Sequence, residues 1–191
     1  MTADVRRCWP TGDDPLMSAY HDREWGVPAH DDLRHFEYLT LDAFQAGLSW
    51  RTILYKRENF HKAFAGFRPE RIAAFSARDV RRLMNDAGII RNRMKIVGTI
   101  RNAEAFLAVQ KEFGRFDRYI WSFTAGRTIR NRWTKLSDIP AHSRESDAMS
   151  LDLKKRGFTF VGSTICYAYM QAAGLVNDHL VGCPRRLRCR G

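Results

Sequence analysis

Apolar residues recur along this chain mostly at three- and four-residue steps, the spacing that lines one side of an α-helix, and hardly ever in the alternation of a half-buried strand. Residues 31–48 place Leu33, Phe36, Leu39, Leu41 and Phe44 behind Asp31 and Asp32, which predicts a helix buried on a wide face. Residues 49–67 predict a second helix, opened by Ser49 as N-cap and closed at Gly66, with Ile53, Phe60 and Phe64 inward. "RPERIAAF" and "SARDVRRLMNDAG" predict two short helices, the second with Ser76 and Asp79 spaced as an approximate capping box. The longest periodic run, 89–114, sets Ile89, Met94, Ile96, Ile100, Ala103, Phe106 and Leu107 on one buried face. Beyond Gly114 the pattern loosens through "RTIRNRWTKLSDIP". It returns in "ESDAMSLDLKKRG" and "STICYAYMQAAGLVN". The expectation is an all-α bundle of short helices.

No repeat, low-complexity stretch or Pro/Gly/Ser-rich linker divides the 191 residues, so residues 1–191 are expected to form a single domain. A chain of that length buries about 70% of its unfolded surface without staples. No apolar run approaches the ~18 residues of a membrane span. The arginines of "MTADVRRCWPTGDDP" are not followed by an apolar segment, which makes the cytoplasm the expected compartment. There the four cysteines, Cys8, Cys166, Cys183 and Cys189, read as thiols or metal ligands before disulfides. Cys166, inside apolar "TICYAYMQ", is expected in the core, and Cys189 in "RRLRCRG" at the surface. The net charge of +11 suits a polyanionic partner such as nucleic acid, and equally a basic protein with no such partner.

Two local patterns carry more chemistry. Residues 153–174 read as a helix ending at Gly157, a tight connection, and a second helix entering at Gly162, Ser163 and Thr164. In a helix-hairpin-helix the glycines let backbone amides at the second helix's start approach a phosphate, with Lys154, Lys155 and Arg156 adding charge. An ordinary turn between helices reads the same way. Near the C-terminus, His179 and Cys183 lie four apart. With Cys8 and His21 they make a Cys2His2 set that would tie the chain ends through one zinc ion, although a lone histidine is more often a buried hydrogen-bonding residue.

Taken together, "DPLMSAYHDREWGVP", "LDAFQAGLSWRTILYKRENF", "DAGIIRNRMKI" and "KKRGFTFVGSTICYAYMQAAGLVNDHLVGC" resemble the DNA-3-methyladenine glycosylase I family over almost the whole chain. The resemblance implies a monomeric all-α member of the helix-hairpin-helix DNA glycosylase superfamily. It also implies one structural zinc on Cys8, His21, His179 and Cys183, clasping the N- and C-termini. The implied activity is hydrolytic release of 3-methyladenine from double-stranded alkylated DNA, with the free base as product. The family's base pocket falls on Tyr20, Trp25, Trp50 and the acid at Asp42. Leu48 stands at the wedge and Lys155, Gly157, Gly162, Ser163 and Thr164 at the DNA backbone. Aromatic faces and a desolvated carboxylate favour a cationic alkylated adenine over a neutral one.

Two positions depart from the pattern. Asp42 stands where the family has glutamate, and Met17 where an aromatic is usual. The shorter acid lengthens its hydrogen bond to the base or requires a water. In many hairpin glycosylases an aspartate follows the hairpin in "VDxH", and here "VNDH" puts Asn177 there. A cationic purine leaves readily, so binding and strain carry more of the acceleration. No motif lysine is placed for a Schiff base, which implies a monofunctional enzyme without lyase activity. The alternatives are a non-enzymatic damage-recognition module using the same basic surface, and a glycosylase whose lesion range is altered by Asp42 and Met17.

Overall fold

The computed structural model describes residues 7–187, so the expected exposure of Cys189 lies outside the described residues. It is built almost wholly of helices: α1 (Pro15–Arg23), α2 (Asp32–Gln45), α3 (Trp50–Ala63), α4 (Pro69–Ala73), α5 (Ala77–Met84), α6 (Arg93–Phe113), α7 (Phe116–Trp121), α8 (Arg144–Lys155) and α9 (Ser163–Ala172). Among the described residues, none of these is long and apolar enough to cross a membrane.

Helix α2 forms the spine, packed on α3, α6, α7 and α9 and buried from His35 through Phe44 apart from Glu37. Its wide apolar face follows from the predicted pattern, except that Leu33 in the first turn is exposed. Helix α6 starts at Arg93, not Ile89, because the Asn92 side chain accepts from the Lys95 amide and fixes the start there. Met94 then projects to solvent at 71% exposure instead of joining the buried face, while Ile96, Ala103 and Phe106 are in the core as expected. Ser49 caps α3, and Ser76 with Asp79 forms the complete capping box on α5.

Two helices have no clear counterpart in the apolar pattern. The first, α1, is set by the Asp14 carboxylate, which accepts from the amides of Leu16 and Met17. The second, α7, is started from a distance. Asp32 on α2 accepts from the amides of Phe116 and Asp117 at 2.9 and 2.8 Å. The irregular stretch after α7 forms a two-residue strand, β1 (Ile129–Arg130), paired in parallel with β2 (Val176–Asn177). Val181 N donates to the Trp133 carbonyl, which continues the attachment. The strip after α9 is therefore laid into the body of the protein.

Apart from the main core, a smaller apolar cluster joins Cys8, Tyr20, Trp25, Leu54 and Cys183, with Trp9, Met17, Trp50 and Leu180 packed against it. This satellite cluster joins the aromatic side chains of Tyr20, Trp25 and Trp50 to the thiols of Cys8 and Cys183.

Candidate functional site: an aromatic pocket beside a Cys2His2 cluster

A cavity of about 400 Å³ opens between α1, the C-terminal end of α2, the start of α3 and α9. Met17, Tyr20, Trp25, Asp42 and Trp50 all line it, so one space brings together every residue expected around a base. Trp9, Gln45, Leu136, Ile139, Ala168 and Gln171 complete the wall. Of these, Gln45 was within reach of sequence reasoning, one helical turn beyond Asp42. Leu136 and Ile139 come from the irregular segment, where no periodicity marks them. Tyr20 and Trp50 have ring centres 5.0 Å apart, and Trp9 meets Trp25 edge-on at 4.6 Å.

Asp42 is 2% exposed, and its Oδ2 is buried without a hydrogen-bond partner. Leaving such an atom unpaired costs about 1–3 kcal/mol. Burial pushes the carboxyl well above the usual carboxylate range. The indole nitrogens of Trp9 and Trp50 are also buried and unpartnered. The wall thus carries an unmatched acceptor and unmatched donors among π-faces. That arrangement can take a flat, partly cationic heterocycle. Burial, followed by the negative field of Asp42, also raises the Tyr20 phenol well above its ordinary value.

The turn after α2 is locked from below. Lys95 on α6 is buried and donates through Nζ to the carbonyls of Phe44 and Ala46 at 2.8 and 2.6 Å. A cation at a helix C-terminus satisfies carbonyls that have no partner within the helix. Gly47 follows at φ +81°, a conformation costly for a side chain, and Leu48 next to it stands out at 41% exposure.

Behind Tyr20 and Trp25, one nitrogen or sulfur from each of Cys8, His21, His179 and Cys183 comes together within 4.8 Å of the others, all buried. Cys8 Sγ lies 3.3 Å and Cys183 Sγ 3.5 Å from His179 Nδ1, and Cys183 Sγ lies 3.7 Å from His21 Nε2. Bonds of ~2.3 Å to sulfur and ~2.0–2.1 Å to nitrogen put neighbouring tetrahedral ligands about 3.3–3.8 Å apart, so the donors fit one metal ion. The supporting residues fit as well. His21 Nδ1 bonds Asp22 at 2.8 Å, and His179 Nε2 bonds the Trp25 carbonyl at 3.0 Å, which turns Nε2 and Nδ1, respectively, toward the centre. Burial would raise the Asp22 carboxyl, but hydrogen bonds from Arg7 and His21 hold it down at about 2. A hydrogen bond from Cys8 holds the Cys183 thiol low, and the same bond with burial drives Cys8 up.

Asn177 is buried below this cluster. It donates to the Arg186 carbonyl and accepts from the His179 amide, so it shapes the terminal turn. Asp178 forms no hydrogen bond with its neighbour His179. It accepts instead from Asn131, Trp133, Tyr167 and Gln171.

In the hairpin of α8 and α9, Gly157 closes α8 at φ +91°, and Gly162 precedes α9 with open space over its Cα. Lys155 and Thr164 are exposed. Ser163 is committed within the protein, its hydroxyl meeting the Asp147 carboxylate and Ser146 Oγ. Arg156 is held by Glu112 and Asp152, which removes it from the expected free positive charge. Arg93 and Arg101 line a groove against Thr159 and Phe160 of the connection instead.

Comparison with known proteins agrees with this architecture. A family model described as methyladenine glycosylase matches residues 9–186. The chain is 51% identical over 179 residues to DNA-3-methyladenine glycosylase 1 of Escherichia coli (strain K12), covering 94% of this chain and 96% of that one. It is 44% identical over 178 residues to DNA-3-methyladenine glycosylase of Haemophilus influenzae, covering 93% and 96%. A crystal structure of 3-methyladenine DNA glycosylase I superposes with TM-score 0.91 at 50% identity, over 94% of this chain and 98% of that one. A variant of 3-methyladenine DNA glycosylase I in complex with 3-methyladenine superposes equally well, with TM-score 0.91 at 34% identity over 94% and 97%.

Proposed function

The chain belongs to the methyladenine glycosylase family, and on that premise we propose that it is a monomeric base-excision enzyme that extrudes 3-methyladenine from double-stranded alkylated DNA and releases it by hydrolysis. The observation that carries this reading is the unpartnered Oδ2 of Asp42, buried in a cavity walled by Tyr20, Trp25 and Trp50. A cationic base supplies the compensation that the carboxylate lacks. The rings exclude water and stack on the base, while a neutral adenine gains neither the charge attraction nor the full cation–π interaction. Asp42 acts on the base by charge and orientation. Among the described residues no lysine lines the cavity, and a monofunctional reaction without strand cleavage is the reading adopted.

The hairpin serves as a helix-hairpin-helix. In this reading the amides at the start of α9 meet a DNA phosphate, with Gly157, Gly162, Thr164 and Lys155 at that surface and Ser163 bracing the two helices. Arg93 and Arg101 beside the connection add positive charge. Leu48, on its locked turn, fills the space that the extruded nucleotide leaves. The metal is zinc, held by Cys8, His21, His179 and Cys183. It is structural, tying the two ends of the chain together, and it supplies no chemistry to the reaction. His179 reaches the Trp25 carbonyl and His21 adjoins Tyr20, so the clasp fixes two walls of the base pocket.

The test is incubation of purified protein with methylated genomic DNA and chromatography of the released bases. Free 3-methyladenine without a borohydride-trapped protein–DNA adduct supports the reading. Tight binding to methylated DNA with no base released identifies a damage-recognition module. Release of other methylated bases without 3-methyladenine identifies an altered lesion range.

A further inference from the structure

Gln171 is half-buried in the pocket wall, and its amide has only one way to face. Nε2 donates to Asp178 Oδ2 at 2.7 Å, whereas Oε1 accepts no hydrogen bond from the described residues. Asp178, 1% exposed, dictates that orientation. As a carboxylate it only accepts, and four donors surround it at 2.7 Å: Asn131 Nδ2 and Trp133 Nε1 on Oδ1, Tyr167 OH and Gln171 Nε2 on Oδ2. Turning the Gln171 amide over would set oxygen against oxygen in a buried site. The oxygen of Gln171 is therefore the free end of its amide.

Given the glycosylase reading above, we propose that Gln171, oriented by Asp178, is a specificity-determining residue that presents an acceptor to the base and selects a 6-amino purine over a 6-oxo purine. Asp42 cannot make that distinction through charge. Adenine and guanine methylated at N3 in DNA are both cationic, so both are drawn to the carboxylate. Their 6-positions differ in hydrogen bonding: an amino group donates to Oε1, and a carbonyl oxygen meets it acceptor to acceptor. A site arranged to pair one polar group rejects the analogue that leaves its own group unpaired. Asp178 is the positioning residue here, because it lies outside the cavity lining and acts through Gln171.

The same network predicts what happens when Asp178 becomes asparagine. The Trp133 indole can only donate, so the asparagine oxygen stays on that side. The new NH2 then faces Tyr167, whose hydroxyl can rotate to accept, and Gln171, whose amide must turn over to accept. Gln171 now offers NH2 to the base, and a 6-oxo purine becomes the better partner.

Single-turnover release of 3-methyladenine and 3-methylguanine from one preparation of methylated duplex DNA gives the selectivity as a ratio of rates. Gln171→Met, close in volume, is expected to lower the preference for 3-methyladenine about tenfold, the equivalent of one hydrogen bond. Asp178→Asn is expected to lower it further by raising 3-methylguanine release. A change that only loosens the fold slows both bases together. An unchanged ratio in Gln171→Met therefore overturns the proposal, and that variant decides the matter if Asp178→Asn does not fold. Free-base affinities, read from quenching of the pocket tryptophans, give the same ratio without catalysis. A protein that releases neither base would refute the glycosylase reading and leave this binding test in force.

Discussion

Replacing Asp42 with asparagine removes one charge from the pocket and almost nothing else, since the two side chains have the same shape. A full positive charge ~4 Å from a carboxylate is attracted by about 4 kcal/mol at an effective dielectric of ~20. The charge of a methylated adenine is spread over the ring, and the asparagine carbonyl still offers a dipole, so about half, ~2 kcal/mol, is lost with the substitution. That corresponds to about a thirtyfold fall in kcat/KM for 3-methyladenine release. The pH profile separates this cause from a general loosening. Burial raises the Asp42 carboxyl well above its ordinary range, so at low pH the acid is neutral and attracts no cation. Release by the natural protein should rise with pH through that raised pKa, and this limb should vanish in Asp42→Asn. Stability moves the other way. The native state holds a proton that the unfolded chain has already lost, so stability falls as pH rises from about 3.9, the unfolded value, to the folded one. Asp42→Asn should consequently resist urea better than the natural protein at pH values above that window. An asparagine variant with full kcat/KM and an unchanged pH profile would refute the claim that the carboxylate recognises the base by charge.

Stripping the metal with a chelator under reducing conditions should lower Tm by about 10 °C or more and weaken free 3-methyladenine binding as well, because the clasp supports Tyr20 and Trp25; calorimetry and tryptophan fluorescence check the two effects. Full base affinity in metal-free protein would break that link. Leu48→Gly should reduce kcat/KM on duplex DNA about tenfold while leaving affinity for free 3-methyladenine unchanged, since Leu48 acts on the DNA and not on the base. Equal losses in both assays would place Leu48 in the base pocket instead.

Much of the fold and the centre of the pocket could be read from residue order. The helical period located α2, α3, α5, α6, α8 and α9, and the caps at Ser49 and Ser76 formed as their side chains dictate. Helix α7 could not be read this way, because its starting cap is the carboxylate of Asp32, 84 residues from Phe116. Lys95 carries no local signal of its role, because the carbonyls it meets at the end of α2 are about fifty residues away in the chain. Leu33 and Met94 matched the apolar period but sit in first turns that face solvent, since a period fixes a helix's phase without fixing where its burial begins. In the pocket, Tyr20, Trp25, Asp42 and Trp50 lie in short motifs whose chemistry suits a cationic base. Gln171 lies in an ordinary-looking helix, and its significance depends on Asp178, which local order could place near His179 but could not pair with Asn131 and Trp133 across the β1–β2 contact.

The most direct measurement is the number of 3-methyladenine molecules released per protein molecule from methylated duplex DNA, followed over time beside the abasic sites left behind. The proposed glycosylase activity requires many turnovers, one abasic site for each free base, and strands that stay intact until treated with alkali. Stoichiometric binding to the methylated duplex with no free base formed would contradict it.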